Sequence, residues 1–353
     1  MRTIGRLILA AVFLLLTAAM VAAAVYVPGF FAFYTPLSQS ALAFLAGITA
    51  PFPFAVWQVL LVLLVLLVLY GLVRTFSRKR GLLCWLAGVI ALLSLMLLVF
   101  TGLWGLNHWA PSVPERLGLQ VREYSTEELR QTTLYLADQA SAWSTQVQRG
   151  PDTDMLADAE AMAETAGAAF LPLAQSDSFF AGSSAPVKPL LAGKAFSYMG
   201  LTGIFICYTG ESCVNPDTYS ASLPYTMCHE AAHRLTVAPE DEANFCAFLA
   251  CTASDDPAFR YSGYYCAFIH CYNALCKADP ESAAQIRSGV SPALDSDLRR
   301  ANAHYDQYEG KVQEVATKVN DTYLKAFNEA SGIRSYGEAA DLLIAWYLDS
   351  NGV

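Results

Sequence analysis

The chain has 353 residues, long enough for a membrane module and one globular domain, and carries 22 basic and 31 acidic side chains for a net charge of −9. Up to Trp109 there are six basic residues and no acid, so the remainder holds 16 basic against 31 acidic residues, a net of −15. An acidic outer piece of this kind excludes the clustered Lys and Arg that nucleic-acid binding draws on, and no nucleic-acid partner is expected.

Three stretches, about Leu7 to Val27, Phe54 to Val73 and Leu82 to Trp104, reach the roughly 20 apolar residues that cross a bilayer. VWQVLLVLLVLLVLYGLV is apolar all round, where a buried core helix would be shorter or carry a polar stripe. Residues 1–106 are therefore expected to be a multi-pass module in the cytoplasmic (plasma) membrane, with the lipid bilayer as partner. Arg2 and Arg6 precede the first span and RTFSRKR fills the link between the second and third, so both belong inside. The uncharged loop TPLSQSALAFLAGITAPFPF and everything after the third span then lie outside. MRTIGR with an apolar run ending in AAA also fits a cleaved signal peptide, with the same outer placement. Trp104 and Trp109 suit an interfacial aromatic belt.

Residues 107–124 read as a Pro-containing linker and 125–353 as an extracytoplasmic domain, mainly α with a small β-hairpin or sheet. Ser125 or Thr126 with Glu127 and Glu128 opens a helix running to about Gln148, and a second covers Asp154 to Phe170. Ser, Gly and Pro then punctuate the chain to Pro216, and KAFSYMGLTGIFICYTGE reads as two short strands. Helices resume at about Tyr225–Leu235, Glu240–Thr252, Ala258–Lys277, Ser296–Ala330 and Tyr336–Leu348. Of the nine cysteines, Cys207 and Cys213 flank TGES and are the expected disulfide; most of the others read as small buried apolar residues.

The informative segment is SLPYTMCHEAAHRLTVAPEDEAN. HExxH on a helix sets His229 and His233 one turn apart on one face, where both imidazoles can reach a single Zn2+ at roughly 2.0–2.1 Å. Zinc lowers the pKa of its water from about 15.7 towards about 7, and Glu230, about 100° round from His229, is the general base. Random placement would produce such a motif roughly 0.003 times in this composition, so chance is a weak explanation. A catalytic zinc takes three protein ligands, and PEDEAN supplies the third. Glu240 is favoured because it shares a face with Asn244, which would accept the outer N–H of a ligating His. Glu242 is the alternative ligand and otherwise an exposed helix-start acid. For the electrophilic group, Tyr261 in FRYSGY is the first choice and Ser335-Tyr336 the second. His270 reads as a core histidine, and His108 and His304 stand alone. SYMGLTGIFIC sits where an edge strand could pair with an extended peptide, with Gly200 and Gly203 keeping it bare.

Glu240, Ala243 and Asn244 resemble the E-x-x-A-D pattern that follows HExxH in gluzincin metallopeptidases, with Asn244 where a carboxylate is common. CHEAAH, APEDEANF, FRYSGY and SYGEAADLLIAWY resemble an uncharacterised bacterial family of three-span membrane proteins, domain of unknown function 3810, over nearly the whole chain. That resemblance implies a zincin-like outer domain with His229, His233 and Glu240 as metal ligands and Glu230 as base. The expected function is a zinc-dependent peptidase acting on a peptide or protein at the outer membrane surface. The alternative is a non-catalytic zincin-like protein in binding, sensing or assembly.

Overall fold

The computed structural model describes residues 2–77, 81–152, 154–328 and 335–352, with the side chains of Arg2 and of 335–338 outside the description. Four helices come first: α1 (Arg2–Tyr26), α2 (Phe30–Thr49), α3 (Val56–Ser77) and α4 (Leu82–Leu103). All four are long and apolar enough to cross a membrane, α2 being markedly the least apolar. The sequence suggested three, with most of α2 read as an outer loop. Its punctuating residues misled that reading, because their polar groups are used within the fold. Ser38 Oγ donates to Leu103 O at 2.5 Å, Gln39 Nε2 to Phe179 O at 2.7 Å, and Ser40 Oγ to Pro36 O at 2.7 Å.

The helix directions follow from their contacts. Arg6 meets Cys84 at one end of the bundle and Met20 packs on Gly102 at the other, so α1 and α4 are parallel. Trp85 Nε1 donates to Val68 O at 3.2 Å, which makes α3 antiparallel to α4. Arg78, Lys79 and Arg80, on which the orientation argument also leans, lie outside the described residues.

Beyond a 3-10 turn (Gly105–Trp109) and the short α5 (Val113–Leu117), α6 (Thr126–Ser144) begins at a capping box, Ser125 with Glu128. The helix expected over Asp154–Phe170 shrinks to α7 (Ala163–Ala168). Its first half is drawn into tertiary bonds instead: Arg149 and Met155 form a bridge, and Asp154 takes Tyr219 and Arg300. These outweigh the helix propensity of an Ala- and Glu-rich stretch.

A three-stranded sheet follows, ordered β1 (Lys188–Pro189), β3 (Glu211–Val214), β2 (Gly203–Ile206), with β1 parallel and β2 antiparallel to β3. The KAFSY segment, read as strand, is the short helix α8 (Gly193–Tyr198). Cys207 and Cys213 are free thiols rather than a disulfide. Cys207 packs with Leu42, Trp104 and Ala238, and Cys213 with Ala55 and Leu190, so they serve different clusters.

The sheet also grips the membrane module. Glu211, with no side-chain exposure, accepts Val56 N and Trp57 N at 2.8 Å each and so caps α3. Lys188 Nζ, likewise buried, reaches Glu211 at 2.8 Å and Thr49 O, at the end of α2, at 2.6 Å. Anion at a helix start and cation at a helix end both match the peptide dipoles.

The remaining helices are α9 (Leu223–Arg234), α10 (Glu240–Ala253), α11 (Pro257–Ala278), α12 (Pro280–Gly289), α13 (Pro292–Asp306), α14 (Lys311–Ala326) and α15 (Ser335–Asn351). The single helix expected over Ser296–Ala330 breaks at Gln307–Gly310, and this lets α14 fold back to line the same cleft as α9. All twelve residues of α9 are buried, among α7, α10, α11 and the sheet. It is the core helix of the domain that follows the four apolar helices, not a surface one.

Candidate metal centre

α9 starts with Leu223 and Pro224 in its first turn, where a missing N–H costs nothing, and runs through His229-Glu230-Ala231-Ala232-His233. The chain then reverses within a few residues. Leu235 N and Thr236 N bond back to the carbonyls of α9, and Thr236 takes φ +73° to complete the turn. α10 opens on Glu240, Asp241 and Glu242 at its positive end. The short spacer RLTVAP thus closes the two helices onto one point. Glu240 Oε2 lies 3.0 Å from His229 Nε2 and 3.7 Å from His233 Nε2, and the two imidazole Nε2 atoms are 3.1 Å apart. Two ligands held at 2.0–2.1 Å by one tetrahedral zinc are separated by about 3.3 Å, so this donor set fits the ion.

Both imidazoles are locked from behind. His229 Nδ1 is 3.0 Å from Asn244 Oδ1 and His233 Nδ1 is 2.7 Å from Val237 O; these N–H donors leave each Nε2 facing Glu240. Tyr225 adds support, its N–H bonding Ser262 Oγ at 3.0 Å and its hydroxyl donating to Asn244 O at 2.7 Å. Trp104 Nε1 donates to His233 O at 3.0 Å, and the two rings meet edge-on at 5.8 Å. Trp104 is therefore buried beneath the centre instead of standing in a lipid-facing belt.

The charges are strongly coupled. Burial pushes the Glu230 carboxyl up to about 7, against the pull of His229 and His233. For His233, burial opposes the charged ring, but the hydrogen bond and charge of Glu240 win and raise it to about 9. Glu240 itself, although buried, is held well below the usual carboxylate range by the two imidazoles. Glu230 Oε2 is buried with no hydrogen-bond partner among the described residues. Gly203 in β2 stands against the same carboxylate, since a Cβ there would come within 2.4 Å of Glu230 Oε1.

His229, Glu230 and Asn244 open onto a cleft of about 510 Å3, lined also by Met199–Thr202 ahead of β2 and Gly203 at its start, by Ile269 and His270 of α11, and by Thr317 and Asn320 of α14. That volume is ordinary for a ligand site. Among the described residues, no fourth His, Cys, Asp or Glu joins the group of His229, His233 and Glu240.

Other sequence candidates fall elsewhere. Tyr261 is fully buried on a face of α11 turned from the cleft, its hydroxyl donating to Asp297, which also binds Arg149 and Tyr219. Glu242 is neither ligand nor exposed: it is buried, accepts Val113 N at 2.9 Å to cap α5, and is raised to about 7 by that burial. The Tyr336 side chain lies outside the described residues. Two histidines read as uninvolved are close by. His270, half-buried, lies 3.5 Å from the Tyr225 hydroxyl on the cleft wall. His108 packs on Trp104, and burial together with the charge of His233 drives it down to about 4. No local spacing relates either to HExxH, so sequence carries no signal for them.

Over residues 33–344 the sequence matches a family described as "Protein of unknown function (DUF3810)". No curated protein and no solved structure matches the chain.

Proposed function

We propose, for a chain that belongs to the DUF3810 family of proteins of unknown function and so takes no activity from kinship, that it is a membrane-anchored zinc metallopeptidase with a zincin-like outer domain. The observation that carries this reading is Glu230: a buried carboxylate with a partnerless oxygen, beside three convergent ligand atoms, on the wall of a cleft. A closed structural site would need no such base and would take a fourth protein ligand.

His229, His233 and Glu240 hold the ion. Zinc bound there supplies Lewis acidity to a peptide carbonyl and acidifies water. Glu230, whose burial favours its protonated form, is placed to take a proton and return it to the leaving amine. Asn244 and Val237 O fix the two imidazoles throughout. His270, on the α11 wall, is the cleft side chain that replaces Tyr261 as candidate for contact with a substrate carbonyl. An extended substrate adds to β2. Its register with β3 pairs Ile204 with Cys213, and Asn215 N bonds Thr202 O, so the backbone groups of Gly203 and Phe205 face the open edge.

The membrane orientation follows from charge. Arg6 and Cys84 meet at one end of the bundle, the end where α3 finishes with Arg74, and the outer domain attaches at the other. Basic residues stay cytoplasmic, so the centre is extracytoplasmic. The test is zinc content and proteolysis of the purified full chain beside His233→Ala, Glu240→Ala and Glu230→Gln. About one zinc per chain is expected, lost in the first two variants and kept in the third, with peptide cleavage abolished in all three. A wild type without zinc, or cleavage that survives in Glu230→Gln, overturns the reading.

A further inference from the structure

α1 and α4 run parallel and α3 runs against them, so the end of α1 at Tyr26 and the start of α3 at Val56 lie at the same end of the bundle. A segment that leaves and re-enters on one side cannot cross the bilayer once, although α2 has the length to do so. Its two faces explain where it goes. Tyr34, Ser38, Leu42, Ala46 and Thr49 are buried against the protein. Phe33, Leu37, Phe44 and Ile48 are each more than half exposed and, at about 100° per residue, fall within about 60° of one another on the opposite side. No charge interrupts that face.

We infer that α2 lies in the plane of the outer membrane interface, with Phe33, Leu37, Phe44 and Ile48 seated at the boundary of headgroups and acyl chains. The occupant is lipid rather than a protein because the face is continuous with the spans on both sides, through Val27–Gly29 and Ala50–Ala55, and because a neighbouring element reaches the same level. The β2–β3 turn sends Tyr208 along α4, where its hydroxyl donates to Met96 O at 2.9 Å. Met96 lies eight residues, about 12 Å of helix, before Trp104. The buried face of α2 in turn carries α9: Gln39 Nε2 donates to Leu235 O at 3.3 Å, just past His233. The metal centre therefore rides directly on the interface, a conclusion independent of whether it cleaves peptides.

Depth measurement decides it. One nitroxide is placed at Phe33→Cys, Phe44→Cys or Ile48→Cys in the full chain, with Cys84 and Cys276 replaced, reconstituted in phosphatidylcholine–phosphatidylglycerol vesicles. Collision rates with oxygen and with a water-soluble nickel chelate then give each depth, and a label at Leu67 in α3 provides a deep standard. Equal shallow depths, within about 5 Å, are expected at all three positions. Phe33 and Ile48 are 15 residues apart, so a crossing helix would separate them by about 22 Å, and that result overturns the inference. Three labels that collide with nickel as freely as in water overturn it as well.

Discussion

Removal of the Glu211 carboxylate, as Glu211→Leu, tests the joint between the apolar helices and the rest of the chain. The substitution strands Lys188 in the interior with Thr49 O as its remaining hydrogen-bond partner, and takes the acceptors from Val56 N and Trp57 N. Breaking a buried ion pair costs about 3–5 kcal/mol, and an orphaned backbone donor about 1–3 kcal/mol. These terms overlap, so a loss of about 4–5 kcal/mol is expected. For a domain of this size, about 2–4 °C per kcal/mol makes that a fall in Tm of about 8–20 °C. Removing both charges, in Lys188→Met with Glu211→Leu, also removes the stranded ammonium and recovers at least half of the loss. Thermal unfolding of the four proteins of this cycle, in one detergent or in nanodiscs, measures it. A single variant within about 1 kcal/mol of wild type, or a double variant no better than the single, refutes the reasoning. The consequence reaches the centre, since Ser212 beside Glu211 donates to Glu230 O at 2.6 Å.

Asn244→Ala, which frees the back of His229, is expected to weaken zinc binding by about 10–100-fold in chelator competition without unfolding the domain. The proton that Glu240 holds on His233 up to about pH 9 must leave before a metal can bind, so protonation opposes binding below that pH and ceases to matter above it. Apparent zinc affinity should then rise about tenfold per pH unit between pH 6 and 8 and level off above 9; a flat profile between 6 and 8 would contradict the assignment. Gly203→Ala drives a methyl into Glu230, and displacing the base by about 1 Å should cut turnover about 100-fold while zinc content stays at the wild-type level. A centre resting on the membrane interface should cleave a flexible segment tethered to a membrane span at least about tenfold faster than the same segment as a free peptide, through its raised effective concentration. Equal rates would detach substrate choice from the membrane while leaving the peptidase proposal intact.

Where the candidate site was legible in the sequence, the geometry was local. His229 and His233 are one helical turn apart whatever surrounds them, and Glu240 and Asn244 stand likewise on α10, so this group of candidate residues could be named from spacing, while the choice between Glu240 and Glu242 waited for the fold that brings Glu240 to the two imidazoles. The helices α1, α3 and α4 were legible for a different reason: length and uniform apolarity suffice to identify candidate spans. Helix α6 carried its own start signal in Ser125 and Glu128.

What only the tertiary structure decided was which face of each element meets which partner. α11 has both Tyr261 and His270, and packing turned the tyrosine to Asp297 and the histidine to the cleft, a choice no periodicity encodes. Thr317 and Asn320 join the cleft because the chain breaks after Asp306 and folds α14 back, and Trp104 lies under His233 because α4 ends there. For α2 the sequence showed a polar, punctuated stretch, and its true character depends on partners more than 60 residues away, such as Leu103 for Ser38 and Phe179 for Gln39. Local spacing thus determined the chemistry the chain can hold, and long-range packing determined where that chemistry sits, because side-chain direction on a helix is intrinsic while its environment is not.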